Sequence, residues 1–289
     1  MLGYKKLQKK MNEPDLTPIN LDRRFGGLAR LYGVTGTARI RAAHVVVVGL
    51  GGVGSWAAEA LARSGVARLT LIDLDHIAES NINRQVHALD TTLGQSKVQA
   101  IRERIAHINP ACRVDCIEEF VDAENWPELV SFDLQADGCN TAFIDACDQV
   151  KAKTAMAAWA LNNKACFISV GAAGGKRLAH QVDIEDLSAV THDPLLAQIR
   201  SRLRKDYEAA RTGKMNVMCV FSREPITKPF VGGIAAELSR NIGGSESLST
   251  SLPTQSDGSL NCHGYGSVVT ITATFGMCAA GWVLNKIAG

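Results

Sequence analysis

Apolar residues in this chain fall in short β-branched runs, separated by longer stretches whose apolar positions recur every three or four residues. That is the pattern of strands alternating with helices. His44–Val48, Arg68–Ile72, Arg113–Ile117, Ala142–Asp145 and Cys166–Val170 read as strands. Residues 55–63, 96–108 and 150–162 read as the helices between them. Val45 to Val48 is apolar at every position, as in a strand covered on both faces. The alternation predicts an α/β fold with a doubly wound, mostly parallel, Rossmann-like sheet. Arg24 to Gly33 is expected to pack a short helix against it, and residues 133–141 to form a small loop.

After Gly171-Ala-Ala-Gly-Gly175 the alternation lapses. Residues 192–214 read as a basic helix, Met218–Phe221 as a short strand, and the Ser/Gly/Thr-rich residues 241–261 as a mobile loop. The expected organisation is therefore a flexible arm over 1–23, a nucleotide-binding domain over 24–190, and an appended mixed region over 191–289.

The last apolar stretch changes the picture slightly. Gly258 to Asn285 carries no Lys, Arg, Asp or Glu, and Ser267 to Leu284 is long enough to span a bilayer. Thr270, Thr272, Thr274, Gly276 and Gly281 dilute it, so a helix buried under the sheet is favoured over membrane association. With 46% hydrophobic and 21% charged residues the composition is that of a soluble protein, and a cytoplasmic location is expected. The net charge of +2 does not by itself call for nucleic acid. Arg200, Arg202, Arg204, Lys205, Arg211 and Lys214 nevertheless gather in one segment, which suits either a solvated helix face or a surface for a phosphate backbone. The eight cysteines form no C-x-x-C pair, which leaves a paired-cysteine zinc site unsupported.

The chemistry concentrates after the first strand. Gly49-Leu-Gly51-Gly52-Val-Gly54 joins that strand to a helix, and Asp73 ends the next strand nineteen residues after Gly54. Glycines let phosphate oxygens approach the backbone, the helix start offers free N–H groups, and the acid suits ribose hydroxyls. This is a nucleotide fingerprint that fits a dinucleotide and ATP alike. The polar residues expected at the same sheet edge separate the two. Asp75 follows Asp73, and Ser80-Asn81-Ile-Asn83-Arg84-Gln85 fills the next loop. Lys97 opens a helix, and Asp148-Gln149 follows the fourth strand. Arg84 and Lys97 would neutralise a triphosphate, with Asp148 holding a Mg²⁺ across its oxygens; a hydride carrier has little use for them.

The run from Gly49 to Asp148 resembles the adenylating domain of the ThiF, MoeB and ubiquitin-activating superfamily. The resemblance implies Gly52, Asp73, Ser80 to Arg84, Lys97, Asp148 and Gln149 as contacts to ATP and Mg²⁺, and transfer of AMP to a carboxylate. Arg24-Phe-Gly-Gly-x-x-Arg30-Leu-Tyr-Gly33, Asn81-x-Asn-Arg-Gln-x-His87, Cys219-Val-Phe-Ser222 and Gly264-Tyr-Gly-Ser resemble one branch, the tRNA threonylcarbamoyladenosine dehydratases. What that resemblance implies is ATP-dependent dehydration of the threonylcarbamoyl group on tRNA and a homodimer; a sulfurtransferase-system partner is left open. Adenylation of a small sulfur-carrier or ubiquitin-like protein's C-terminus is the alternative. The superfamily often lends an arginine across the dimer; Gly27 stands where it is expected, which leaves Arg24 or Arg30. Cys219 and Cys262 are the thiols expected nearest the site, although either suits plain packing, and His87 and His263 are candidate proton carriers.

Overall fold

The computed structural model describes residues 20–130, 140–227 and 265–289. The expectations for the loop at 133–141 as far as residue 139, for the loop at 241–261, for Cys262 and His263, and for most of the N-terminal arm lie outside them. Seven strands form one sheet: β1 (His44–Val48), β2 (Arg68–Ile72), β3 (Arg113–Ile117), β4 (Thr141–Asp145), β5 (Cys166–Val170), β6 (Val182–Asp186) and β7 (Met218–Ser222). Their order is β3-β2-β1-β4-β5-β7-β6, and every pairing is parallel except that of β6 with β7. The expected doubly wound sheet is present. The β6 edge was not foreseen, and the boundary expected at residue 190 falls between two strands of this sheet.

Helices α1 (Leu21–Phe25) and α2 (Gly27–Arg41) precede the sheet. The short helix expected at Arg24 to Gly33 is thus two helices, the second broken at Gly33, whose φ of 71° leaves the helical region. Asn20 caps α1 by accepting from the Arg23 N–H at 2.9 Å, so residues 21–23 are helical rather than arm. Between the strands run α3 (Gly54–Arg63), α4 (Lys97–Ile108), α5 (Trp126–Leu129), α6 (Val150–Asn163) and α7 (Pro194–Asp206); α8 (Val269–Ala288) closes the chain. On one face of the sheet, Leu61, Leu69, Ile101 and Phe275 belong to a core that includes much of α3, α4 and α8. On the other, Trp126, Phe143 and Trp159 meet edge to face beside α6 and α7.

The apolar C-terminal stretch is the buried helix. Phe275, Ala279 and Val283 face α3 and the sheet with no exposure. A side chain at Gly276 would come within 2.9 Å of the Ala57 nitrogen, so the glycine is what lets α8 lie against α3. Among the described residues no helix is long and apolar enough to cross a membrane.

The basic helix is shorter than expected. It stops at Asp206, Glu208 turns left-handed at φ 54°, and the Ala209 N–H folds back to the Leu203 carbonyl at 3.1 Å. Arg211 and Lys214 therefore lie in the loop beyond the helix.

Candidate active site

A cavity of about 380 Å³ opens where five strands deliver their C-terminal ends. β1 lies between β2 and β4, so the chain leaves it in opposite directions, the place where doubly wound folds take ligands. Gly49 ends β1 with φ 83°, and a side chain there would strike the Cys147 nitrogen at 2.8 Å. Only glycine lets the loops after β1 and β4 touch. Gly51 and Gly52 line the cavity; Gly54 begins α3 just behind them. The α3 N-terminus thus brings the positive end of its dipole to this space.

Asp73 ends β2 and holds the turn. Its carboxylate accepts from the Leu50 N–H at 2.6 Å and from the Asp75 N–H at 2.9 Å. Burial raises its pKa, against the opposing pull of Lys97 and of those N–H groups. Lys97 at the start of α4 reaches back to Asp75 at 2.6 Å and to Asp73 at 3.8 Å. The Lys97 side chain is 7% exposed and that of Asp75 is 55% exposed, so one member of the pair stands in water.

The loop from Ser80 to Gln85 forms the next wall. Asn81 caps its own turn, accepting from the Ala78 N–H at 3.0 Å. Among the described residues Arg84 bonds only to uncharged oxygens, the Ser80 carbonyl at 2.7 Å and the Asn83 amide at 2.9 Å. No carboxylate among the described residues therefore neutralises its guanidinium. Ser80, Asn81, Arg84 and Gln85 line the cavity, whereas Asn83 stands behind, donating to the Ser267 carbonyl at 2.9 Å. Asp148 and Gln149, exposed ahead of α6, complete the rim.

Other expected residues are placed elsewhere. Cys219 is fully buried in the core beneath the sheet and does not line the cavity; burial holds its thiol far above the usual range. The thiol at the cavity is Cys147, which donates to Asp145 at 3.2 Å. Burial and the Asp145 charge raise its pKa too, so it is no ready nucleophile. His87 is buried off the cavity, its pKa pushed down to about 4 by burial and by the Lys97 and Arg104 charges. Arg24 donates to the Ile108 carbonyl at 2.7 Å, Arg30 is exposed, and neither lines the cavity of its own chain.

Several lining residues carried no signal in the chain. Phe120, 55% exposed, stands at the rim after β3, its carbonyl held by the Asn125 amide at 2.7 Å. Ala172 follows β5, and its N–H donates to Asp193 at 2.9 Å, which brings Leu195 of α7 to the wall. Strand-end positions are a rule that could have found Phe120 and Ala172; Thr272, reaching in from α8, follows no such rule.

The profile of the ThiF family matches residues 23–289, and the chain belongs to that family. It is 41% identical to the tRNA threonylcarbamoyladenosine dehydratase of Haemophilus influenzae, over 93% of this chain and 94% of that one. It is 38% identical to the Escherichia coli protein of the same name, over 92% and 93%. The crystal structure of the Escherichia coli tRNA N6-threonylcarbamoyladenosine dehydratase in complex with ATP superposes with a TM-score of 0.76 at 37% identity, covering 92% and 94% of the two chains.

Proposed function

We propose that the protein is an ATP-dependent dehydratase of threonylcarbamoyladenosine in tRNA, working through an acyl adenylate of the threonyl carboxylate. The observation that carries this reading is one cavity lined by a glycine turn, two cations and a carboxylate from four separate segments: Gly49 to Gly52, Arg84, Lys97 and Asp148. Its likeness to proteins named for that activity supports the substrate.

In this reading the triphosphate lies over the glycine turn, with ribose hydroxyls on Asp73, and Arg84 answers phosphate charge. Lys97 exchanges Asp75 for a phosphate oxygen when ATP enters, at small cost because Asp75 already stands in water. The substrate carboxylate attacks the α-phosphorus and pyrophosphate leaves. A nitrogen of the same threonylcarbamoyl group then attacks the activated carbonyl, loses its proton, and expels AMP. Ring closure within one bound group has a high effective molarity, so no protein nucleophile is required. The raised thiol pKa values of Cys147 and Cys219 fit that absence.

Among the described residues no group of three His, Cys, Asp or Glu side chains is arranged for a metal. Mg²⁺ asks for less, since it commonly binds one or two carboxylates, substrate phosphates and water. Asp148, exposed and lining the cavity, is the residue that would hold it, and the ion would neutralise charge on the departing pyrophosphate. A homodimer is part of the proposal, with Arg24 or Arg30 available to a partner's cavity.

Mass spectrometry of tRNA nucleosides after incubation with ATP tests the reading. Threonylcarbamoyladenosine is expected to lose one water while AMP and pyrophosphate accumulate. Unchanged nucleoside beside active enzyme-bound ATP would end it.

A further inference from the structure

Leu195, the second residue of α7, lines the cavity, and one stripe of the helix leads away from it. Gln198, Arg202 and Lys205 stand three, seven and ten residues further on, all exposed. At about 100° per residue these four positions share one face, within about 80° of arc. At a rise of about 1.5 Å per residue, Arg202 lies about 10 Å and Lys205 about 15 Å from Leu195 along the axis. Leu195 itself is buried, at the border with the adjoining face of Leu196, Ile199 and Leu203, which is buried too.

The cations at the far end are not engaged in ion pairs among the described residues. Arg204 donates to the Ala210 carbonyl at 3.2 Å, which folds the following loop back and sets Arg211 beside the helix end. Lys214 is exposed in the same loop. Asp206 and Glu208 lie in that turn as well, fewer than the surrounding cations. Arg200 differs from them. It spends its guanidinium on the Leu187 and Val190 carbonyls, each at 2.9 Å, and braces α7 rather than facing solvent.

We propose that this stripe, from Leu195 through Arg202 and Lys205 to the Arg211–Lys214 loop, carries the RNA backbone beside the nucleotide whose carboxylate enters the cavity. The inference rests on tRNA being the substrate. A neutral helix face would serve a small soluble carboxylate equally well; a face that leaves the cavity wall and turns cationic about 10 to 15 Å from it suits a ligand whose phosphates continue beyond the reacting group.

The test uses the full chain with Arg202→Glu and Lys205→Glu combined, and Arg102→Glu on α4, exposed on the other face of the sheet, as a control. Binding of threonylcarbamoyladenosine-bearing tRNA is followed by fluorescence anisotropy over a range of salt, and turnover is measured on tRNA and on the free nucleoside. The double variant is expected to bind tRNA at least ten-fold more weakly, with a salt slope lower by about 1.5 to 2. Its KM for ATP and its turnover of the free nucleoside should match wild type, and the control should match throughout. An unchanged salt slope, or equal losses on tRNA and nucleoside, overturns the track alone. A wild-type protein that dehydrates neither substrate overturns the tRNA reading and the track with it.

Discussion

Two lysine–aspartate pairs sit within one layer of each other and behave differently. Lys153 of α6 meets Asp145 at the end of β4 at 2.8 Å, both side chains fully buried. Ser169 of β5 donates to the same carboxylate at 2.6 Å, and Lys153 also reaches the Asp145 carbonyl at 3.3 Å. The lysine pKa is raised: burial alone would lower it, and the Asp145 charge prevails. Every polar atom of this pair has somewhere to go, so it ties α6, β4 and β5 together. Lys97 has the same chemistry with one wall missing. Its nearest partner, Asp75, is 55% exposed, and the pair faces the cavity. A closed pair costs folding energy to break, whereas an open one can change partners when a phosphate arrives.

The largest expected effect comes from breaking the closed pair. Lys153→Ala leaves Asp145 charged and dry, and should lower stability by about 3–5 kcal/mol in urea unfolding, enough to deplete the folded protein. Replacing both members, Lys153→Met with Asp145→Leu, should restore much of that loss; no restoration would mean the pair does more than brace the fold. Lys97→Ala should act the other way round. Turnover of ATP is expected to fall about 10²–10³-fold, as when a charged contact to a reacting phosphate is removed. Stability should drop by no more than ~1–2 kcal/mol. A variant that unfolded as badly as Lys153→Ala would erase the distinction drawn here. Asp148→Ala is expected to match the activity loss of Lys97→Ala with less effect on the melting temperature, since its carboxylate stands in solvent.

Smaller still is Asp75→Asn. Because the carboxylate is half in water, releasing Lys97 from it should change the KM for ATP by less than ten-fold, lowering it if ATP must displace this partner. A hundred-fold loss would place Asp75 among the groups that hold ligand rather than the one that yields to it.

The open pair was partly legible in the chain and the closed one was not. Asp73, Asp75 and Lys97 follow a strand end or open a helix, positions that period and spacing locate well. Their mutual contact depends on how α4 returns beside β2, which no local pattern encodes. Lys153 sits between Ala152 and Thr154 in a helix buried on most sides, and nothing in the chain marks it off from a solvated lysine. The four valines of β1 were unmistakable because both faces are covered. Val182-Asp-Ile-Glu-Asp186 was passed over because an edge strand, open on one side, mixes charge with β-branched residues. The helix stop after Asp206 was hidden for a related reason. Arginines and lysines continue across it, and the left-handed Glu208 carries no compositional mark. Cys219 was drawn toward the site by its motif, yet β7 lies beyond β5 from the cavity and turns that thiol into the core.

The finest test of the contrast uses His87 as a reporter. Its buried imidazole has a pKa of about 4 against an ordinary 6.5, owing first to burial, then to the Lys97 charge, then to Arg104. The folded chain therefore binds fewer protons than the unfolded chain between those values. Its contribution to stability is complete above pH 6.5 and is lost as pH falls toward about 4. Lys97→Ala removes one of the two charges, so the pKa of His87 should rise, and the window should narrow from its acid end. Burial remains, so the value should stay below 6.5. The Lys153→Met, Asp145→Leu pair should leave the titration untouched, because Lys153 is not among its causes. Histidine ring proton shifts followed by NMR against pH would read this directly. A shift on removing Lys97 but not Lys153 means that the open pair projects its charge into its surroundings while the closed pair cancels its own. Equal responses would mean that burial, and not the partner's exposure, governs both.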